Sequence, residues 1–216
     1  MSLRYKGIRG FIAREELTTL KESTLLTFFD MCRRFDLRDG RDYSYNINDK
    51  LILFHQTGSV IYLKELKFYP SDPEYEYLGS TEYTWGFIDE ASQITQKAKN
   101  VMKSRIRYKL AENGLIAKLL MGCNPSKGWI YGEFFKPWRA GELPEHKNFL
   151  QALVTDNPFI EPGYIKNLEG MDKQTKERLL FGNWDYDDDP AVLMTYDALT
   201  DLFTNSVPAD PSKKYI

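Results

Sequence analysis

Apolar and polar positions along this chain switch between a period near two and a period near 3.6, and the switches mark its elements. Residues 8–13 form a short apolar run of β character. Leu17, Leu20, Leu25, Phe28, Phe29 and Cys32 then recur at roughly helical spacing, which predicts a helix over residues 17–35. Residues 51–54 and 60–63 are strand-like, and Thr57-Gly58-Ser59 between them predicts a hairpin turn. Tyr69-Pro70-Ser71-Asp72-Pro73 reads as a loop. Residues 83–88 form the next strand, which holds no Lys, Arg or Pro and runs into Asp89-Glu90. A helix is predicted over residues 91–112, stopped at Asn113-Gly114. Residues 117–122 are again strand-like and lead to Asn124-Pro125. A short helix over 131–138, a strand over 149–154 and two helical pieces within 163–181 complete the pattern. Strands alternating with helices predict an α/β domain with a mostly parallel sheet. After Trp184 the composition turns acidic and then rich in Pro, Asp and Ala, so residues 185–212 read as a linker. Residues 213–216 read as the start of a further strand.

Composition narrows the picture. The 216 residues are 42% hydrophobic and 14% aromatic, enough for one sizeable globular core. A formal net charge of -2 gives no global field toward nucleic acid or membrane, so any DNA contact must come from a local patch. Cys32 and Cys123 show neither a paired spacing nor a nearby His pair, which argues against a zinc site and fits a reduced, cytoplasmic protein. No apolar run approaches bilayer length, and Met1-Ser2-Leu3-Arg4 lacks the apolar stretch of a secretory leader.

The candidate chemistry begins with Asp89-Glu90. Ligands of open α/β sheets sit at the carboxyl ends of strands. There Asp89 could hold the water shell of Mg2+, and Glu90 could orient and deprotonate a water attacking a γ-phosphate. The competing reading is an acidic helix start favoured by the dipole. Asn124, after the next strand, could sense the phosphate or its water, or be a plain turn residue. Lys99, Lys103 and Arg107 lie at i, i+4 spacing beside an apolar seam of Ala98, Met102, Ile106 and Leu110. They could meet DNA phosphates or a neighbour's nucleotide; the plainer reading is a solvated helix face. Asp185, Asp187, Asp188 and Asp189 are consecutive rather than convergent, which suits a solvated linker better than a metal cluster. His55 and His146 stand isolated, and the four tryptophans suit a core better than a base-stacking platform.

Taken in order, these motifs are similar to one family. Phe87-Ile88-Asp89-Glu90-Ala91-Ser92, Ser104-Arg105-Ile106-Arg107-Tyr108, Cys123-Asn124-Pro125-Ser126 and Trp129-Ile130-Tyr131 resemble the large terminase subunit of tailed bacteriophages. Asp156-Asn157-Pro158 and Arg178-Leu179-Leu180-Phe181-Gly182-Asn183-Trp184 continue the resemblance in the same order. It implies an ATP-driven motor that packs double-stranded DNA into a procapsid through the portal protein. It further implies a homo-oligomeric ring, a small terminase subunit as partner, a host-cytoplasmic location and a following RNase H-like nuclease. The implied fold is an α/β P-loop NTPase of ASCE, RecA-like type with a small helical lid. The expected division is residues 4–160 as ATPase core, 161–184 as lid, 185–212 as linker and 213–216 as the nuclease start. By position Asp89 matches the Walker B magnesium residue, Glu90 the catalytic glutamate and Asn124 the coupling motif.

The departures are as informative. A phosphate-binding loop needs Gly-x-x-x-x-Gly-Lys followed by Ser or Thr, because backbone amides and the lysine cradle the phosphates. The 216 residues contain no such stretch, so ATP and Mg2+ are expected to bind the longer protein and this chain only weakly. Gly79-Ser80 stands where some members carry a trans-acting arginine, leaving Arg105 as the substitute candidate. The alternatives are another P-loop motor, such as a helicase-like ATPase, or a prophage-derived interaction module without catalysis.

Overall fold

The computed structural model describes residues 1–186, so the predicted linker beyond Tyr186 and the strand start at 213–216 lie outside the described residues. The first of two compact units comprises Met1–Phe149, and the second begins at Leu150.

The first unit is built on a six-stranded sheet in the order β2-β3-β4-β1-β5-β6. Its strands are β1 (Arg9–Arg14), β2 (Tyr43–Asn46), β3 (Leu51–Phe54), β4 (Ser59–Glu65), β5 (Trp85–Ile88) and β6 (Lys118–Met121). Four of them, β4-β1-β5-β6, are mutually parallel, and β2 and β3 add an antiparallel flank. β1 sits centrally, and its Phe11, Ile12 and Ala13 are all buried. A parallel strand covered on both faces needs such a continuous apolar run. The strands predicted at 8–13, 51–54, 60–63, 83–88 and 117–122 thus have counterparts, as does the mostly parallel α/β sheet. β2 has no counterpart in the sequence reading, because Tyr43-Ser44-Tyr45-Asn46 is polar at alternate positions and flanked by charge.

Two glycines set how closely the central strands approach. Gly86 lies opposite Phe11 and Gly10 opposite Trp85 in the β1–β5 ladder. A methyl group on Gly86 would stand 2.1 Å from Phe11 Cζ, and one on Gly10 would stand 2.3 Å from the Trp85 ring. Each aromatic ring therefore occupies the space that a neighbouring side chain would need.

The predicted helix over 17–35 is three pieces. A short turn α1 (Leu17–Thr19) is followed by a π-helical segment, Leu20–Thr24, and by α2 (Leu25–Arg34). Leu20 and Leu25 are both buried, and they are five residues apart. An α-helix would turn them to different faces, whereas the wider π turn stacks i over i+5. Both leucines then join Ile12, Cys32, Tyr43, Ile52, Phe54, Ile61 and Leu63 in one apolar cluster.

The predicted helix over 91–112 is corrected to α3 (Gln96–Ser104). Thr95 caps it by accepting from Ala98 N at 3.1 Å. It stops early because residues 105–107 pair with Tyr83: Tyr83 N donates to Arg105 O and Arg107 N to Tyr83 O, each at 2.8 Å. That pairing prolongs the sheet beyond the amino end of β5 and takes the backbone out of the helix. Further on, a π-helical segment Tyr131–Phe135 leads into α4 (Lys136–Ala140).

The second unit carries α5 (Pro162–Glu169) and α6 (Lys173–Leu179), matching the two predicted helical pieces. The Asp172 side chain caps α6 by accepting from Thr175 N at 2.9 Å. The strand predicted over 149–154 is absent; Leu153 N bonds instead to the Asp156 carboxylate at 2.7 Å, closing a short 3-10 turn.

Candidate functional site

Strand order places the site. From β1 the next parallel strand lies to one side, at β4, and from β5 the next lies to the other, at β6. The carboxyl ends of β1 and β5 therefore flank a point where the chain turns away in both directions, the crevice in which open α/β sheets take ligands. Arg14 ends β1 and Asp89 directly follows β5, so both stand at that crevice.

The backbone fixes the acidic pair from two sides. Asp89 N donates to Ala13 O, and Gly122 N, just after β6, donates to Ile88 O, each at 2.9 Å. Ala91 N closes the loop by donating to Gly122 O at 2.9 Å. Between these anchors Glu90 adopts a φ of +48°, a left-handed conformation that costs a non-glycine residue about 1 kcal/mol or more. The local helix start that competed with the catalytic reading is thereby replaced: α3 begins six residues later, at Gln96, under its own Thr95 cap.

Asp89 is held through one oxygen. Thr24 Oγ1 donates to Asp89 Oδ2 at 2.5 Å, and Arg14 Nη1 lies 3.8 Å from the same atom. Arg14 Nη1 also donates to Ser23 Oγ at 2.5 Å. Asp89 Oδ1 has no hydrogen bond or ion pair among the described residues, and a methyl group on Gly122 would lie 3.8 Å from it. Glu90 lies close enough to Cys123 that burial first, and the glutamate's charge second, push the Cys123 thiol up to about 11. Asn124, next along, is exposed. Trp129 Nε1 donates to Ile94 O at 2.8 Å and so ties the segment after Asn124 to the segment after Glu90.

The basic candidates are placed elsewhere. Lys99 is buried, 3% exposed, with its ammonium 2.8 Å from both Glu133 carboxylate oxygens and 5.2 Å from the centre of the Trp129 ring. It holds α3 against the π-helical segment Tyr131–Phe135, and burial removes it from the DNA-contact set. Arg107 lies beyond the end of α3 and donates to Glu82 at 2.7 Å, so the i, i+4 stripe does not exist as one face. Lys103 is exposed on the last turn of α3. Arg105 adjoins Tyr83 at the amino end of β5, the opposite end of that strand from Asp89 and Glu90. His55 bonds to Ser44 and to Arg41 O on the β2–β3 flank, a packing role. The site residues that the sequence reading missed are Arg14, Ser23 and Thr24. For Arg14 the available signal was a charged residue ending a buried strand, the same signal that marked Asp89; Ser23 and Thr24 lie on the π-helical segment Leu20–Thr24 and carried no such local signal.

The Glu133 cluster carries a measurable pH dependence. Burial alone would raise the Glu133 carboxyl, but bonds from Lys99, Gln96 and Lys147 outweigh it and hold the group at about 2. A folded-state value below the unfolded one stabilises the fold fully above the unfolded value near 4.5, and that contribution is lost as pH falls toward 2. The expected loss is about 2 kcal/mol over that window, after allowance for partial solvent screening. Urea midpoints measured from pH 5 to pH 2.5 should fall less steeply in Glu133→Gln than in the wild type; parallel curves would refute the assignment.

A family model described as phage terminase large subunit matches residues 4–181. Among solved structures, the large terminase of a thermophilic bacteriophage in complex with ADP superposes with a TM-score of 0.66 at 17% identity, over 85% of this chain and 42% of that one. Another crystal form of the same phage's large terminase gives 0.65 at 16% identity, with the same 85% and 42%. That large terminase in complex with ATP-gamma-S gives 0.58 at 15% identity, over 85% and 41%. At these identities the likeness shows a shared fold. The chain spans 42% of the length of the first of those solved chains. No protein of curated function matches it.

Proposed function

The chain belongs to the phage terminase large subunit family, and we propose that it supplies the acidic half of that family's ATP-driven DNA-packaging motor. The observation that carries the reading is Asp89-Glu90 at the crevice between β1 and β5, with Asp89 Oδ1 uncommitted and Glu90 in a left-handed conformation. Asp89 would hold Mg2+ through water, and the ion when bound neutralises phosphate charge. The residues fit that ion: Thr24 and Arg14 engage only Asp89 Oδ2, leaving Oδ1 open, and Mg2+ favours one or two carboxylates while keeping waters and taking phosphate oxygens. Glu90 would accept the proton of the attacking water. Asn124 would couple the phosphate state to a lid formed from residues 161–184, with residues 4–160 as the core.

The phosphate cradle must come from outside the 216 residues, which hold no Gly-x-x-x-x-Gly-Lys stretch. Among the described residues β6 is an edge strand, which can receive a further strand, and its Leu120 is 67% exposed. Double-stranded DNA, the portal protein, the small terminase subunit and a homo-oligomeric ring are the partners this reading implies, in the host cytoplasm, with Lys103 and Arg107 as DNA contacts and Arg105 acting across subunits. No described helix is long and apolar enough to cross a membrane. Isothermal titration of the chain alone with Mg2+ and ATP should give a dissociation constant weaker than about 1 mM, because the amides and lysine that cradle phosphate are absent. A low-micromolar constant would overturn the proposal.

A further inference from the structure

Asp89 is served by two side chains, one a neutral hydroxyl donor and the other a fixed positive charge. Thr24 comes from the π-helical segment Leu20–Thr24, and its hydroxyl reaches Asp89 Oδ2 at 2.5 Å across 65 residues of sequence. Arg14 comes from the carboxyl end of β1, and its Nη1 stands 3.8 Å from the same oxygen. Both leave Oδ1 untouched. The wide π turn also carries a backbone cost that π-helical segments repeatedly bear at functional sites. Arg14 shows a second such cost. Its Nε is buried without a hydrogen-bond partner, in a side chain only 15% exposed.

We propose that Thr24 and Arg14 are positioning residues that set how Asp89 handles a divalent cation: Thr24 aims the carboxylate, and Arg14 weakens its hold. The inference rests on the reading of Asp89 as the magnesium residue. Thr24, a neutral donor, fixes the carboxylate rotamer so that Oδ1 faces the crevice beside Gly122. Second-layer donors of this kind orient metal-binding carboxylates. Arg14 places a fixed positive charge beside the same group and competes with a cation for it. The pair thus makes cation capture dependent on phosphate oxygens arriving with the nucleotide.

The two roles predict shifts of opposite sign. Mn2+ is titrated into the 15N-labelled 216-residue chain, and broadening of the Ala91 and Gly122 amides is followed. Thr24→Val should raise the half-broadening concentration about tenfold, and Thr24→Ser should restore it to within about twofold of wild type. Arg14→Gln should lower it about fivefold. If Thr24→Val leaves the titration unchanged while Asp89→Asn abolishes local broadening, the inference falls and the magnesium reading stands. If Asp89→Asn also leaves it unchanged, the magnesium reading falls and takes the inference with it. Should Thr24→Val fail to fold, Arg14→Gln decides alone: tighter Mn2+ binding supports the proposal, and unchanged or weaker binding overturns it.

Discussion

Glu90→Gln, in a large terminase chain that joins this segment to a phosphate-binding loop, should lower ATP turnover at least about a hundredfold and leave nucleotide affinity within about twofold. Glu90 follows the strand end directly, between the anchors at Ala13 and Gly122, and its φ of +48° is a conformation with no structural benefit to glutamate. Such strain persists where surrounding contacts enforce it, and it concentrates at working sites. Gln retains size and hydrogen bonding but cannot accept a proton from water. Affinity should survive because the phosphates are held by backbone amides and lysine, not by this group. Glu90→Gly supplies the control: it relieves the left-handed strain, so it should be equally inactive yet up to about 1 kcal/mol more stable. Turnover unchanged in Glu90→Gln would remove the residue from the chemistry.

The second large effect is on stability. Gly86→Ala should cost about 3 kcal/mol, read as a lowered urea midpoint with an unchanged slope. The added methyl would stand 2.1 Å from Phe11 Cζ, and Phe11 is fully buried. Its ring is further fixed by an edge-on contact with Tyr83 at 4.9 Å between centroids. Buried and held by Tyr83, the ring would force β1 and β5 apart, and those are the strands that lead to Arg14 and Asp89. Gly10→Ala meets the Trp85 ring at a similar 2.3 Å, but Trp85 is only half-buried where Phe11 is fully buried, so a smaller cost of about 1 kcal/mol is expected there. The double variant Gly86→Ala with Phe11→Leu should recover at least half of the loss. Equal costs at Gly10 and Gly86 would show that ring confinement is not the cause.

Much of this was legible along the chain. β1, β3, β4, β5 and β6 are short apolar runs, and a run of that kind has few other places to go than a sheet. Asp89-Glu90 stood out because two acids end a strand free of other charge. The basic stripe was misread because helical spacing was extended through residues 105–107, and those residues are recruited as a partner for Tyr83 instead. Lys99 was misread because its partner, Glu133, lies 34 residues away.

The sequence by itself determined the α/β class, the order of the motifs, the acidic pair and the lack of a phosphate-binding loop within the 216 residues. Each of these is written in local spacing, which short-range hydrophobic periodicity and residue chemistry suffice to read. Only the tertiary structure decided that β1 lies beside β5 and that Thr24 and Arg14 share one oxygen of Asp89. The same holds for the burial of Lys99 and for the position of β6 at the sheet's end. Those contacts join residues tens of positions apart, and their geometry is fixed by how the strands pack, a property no local pattern encodes.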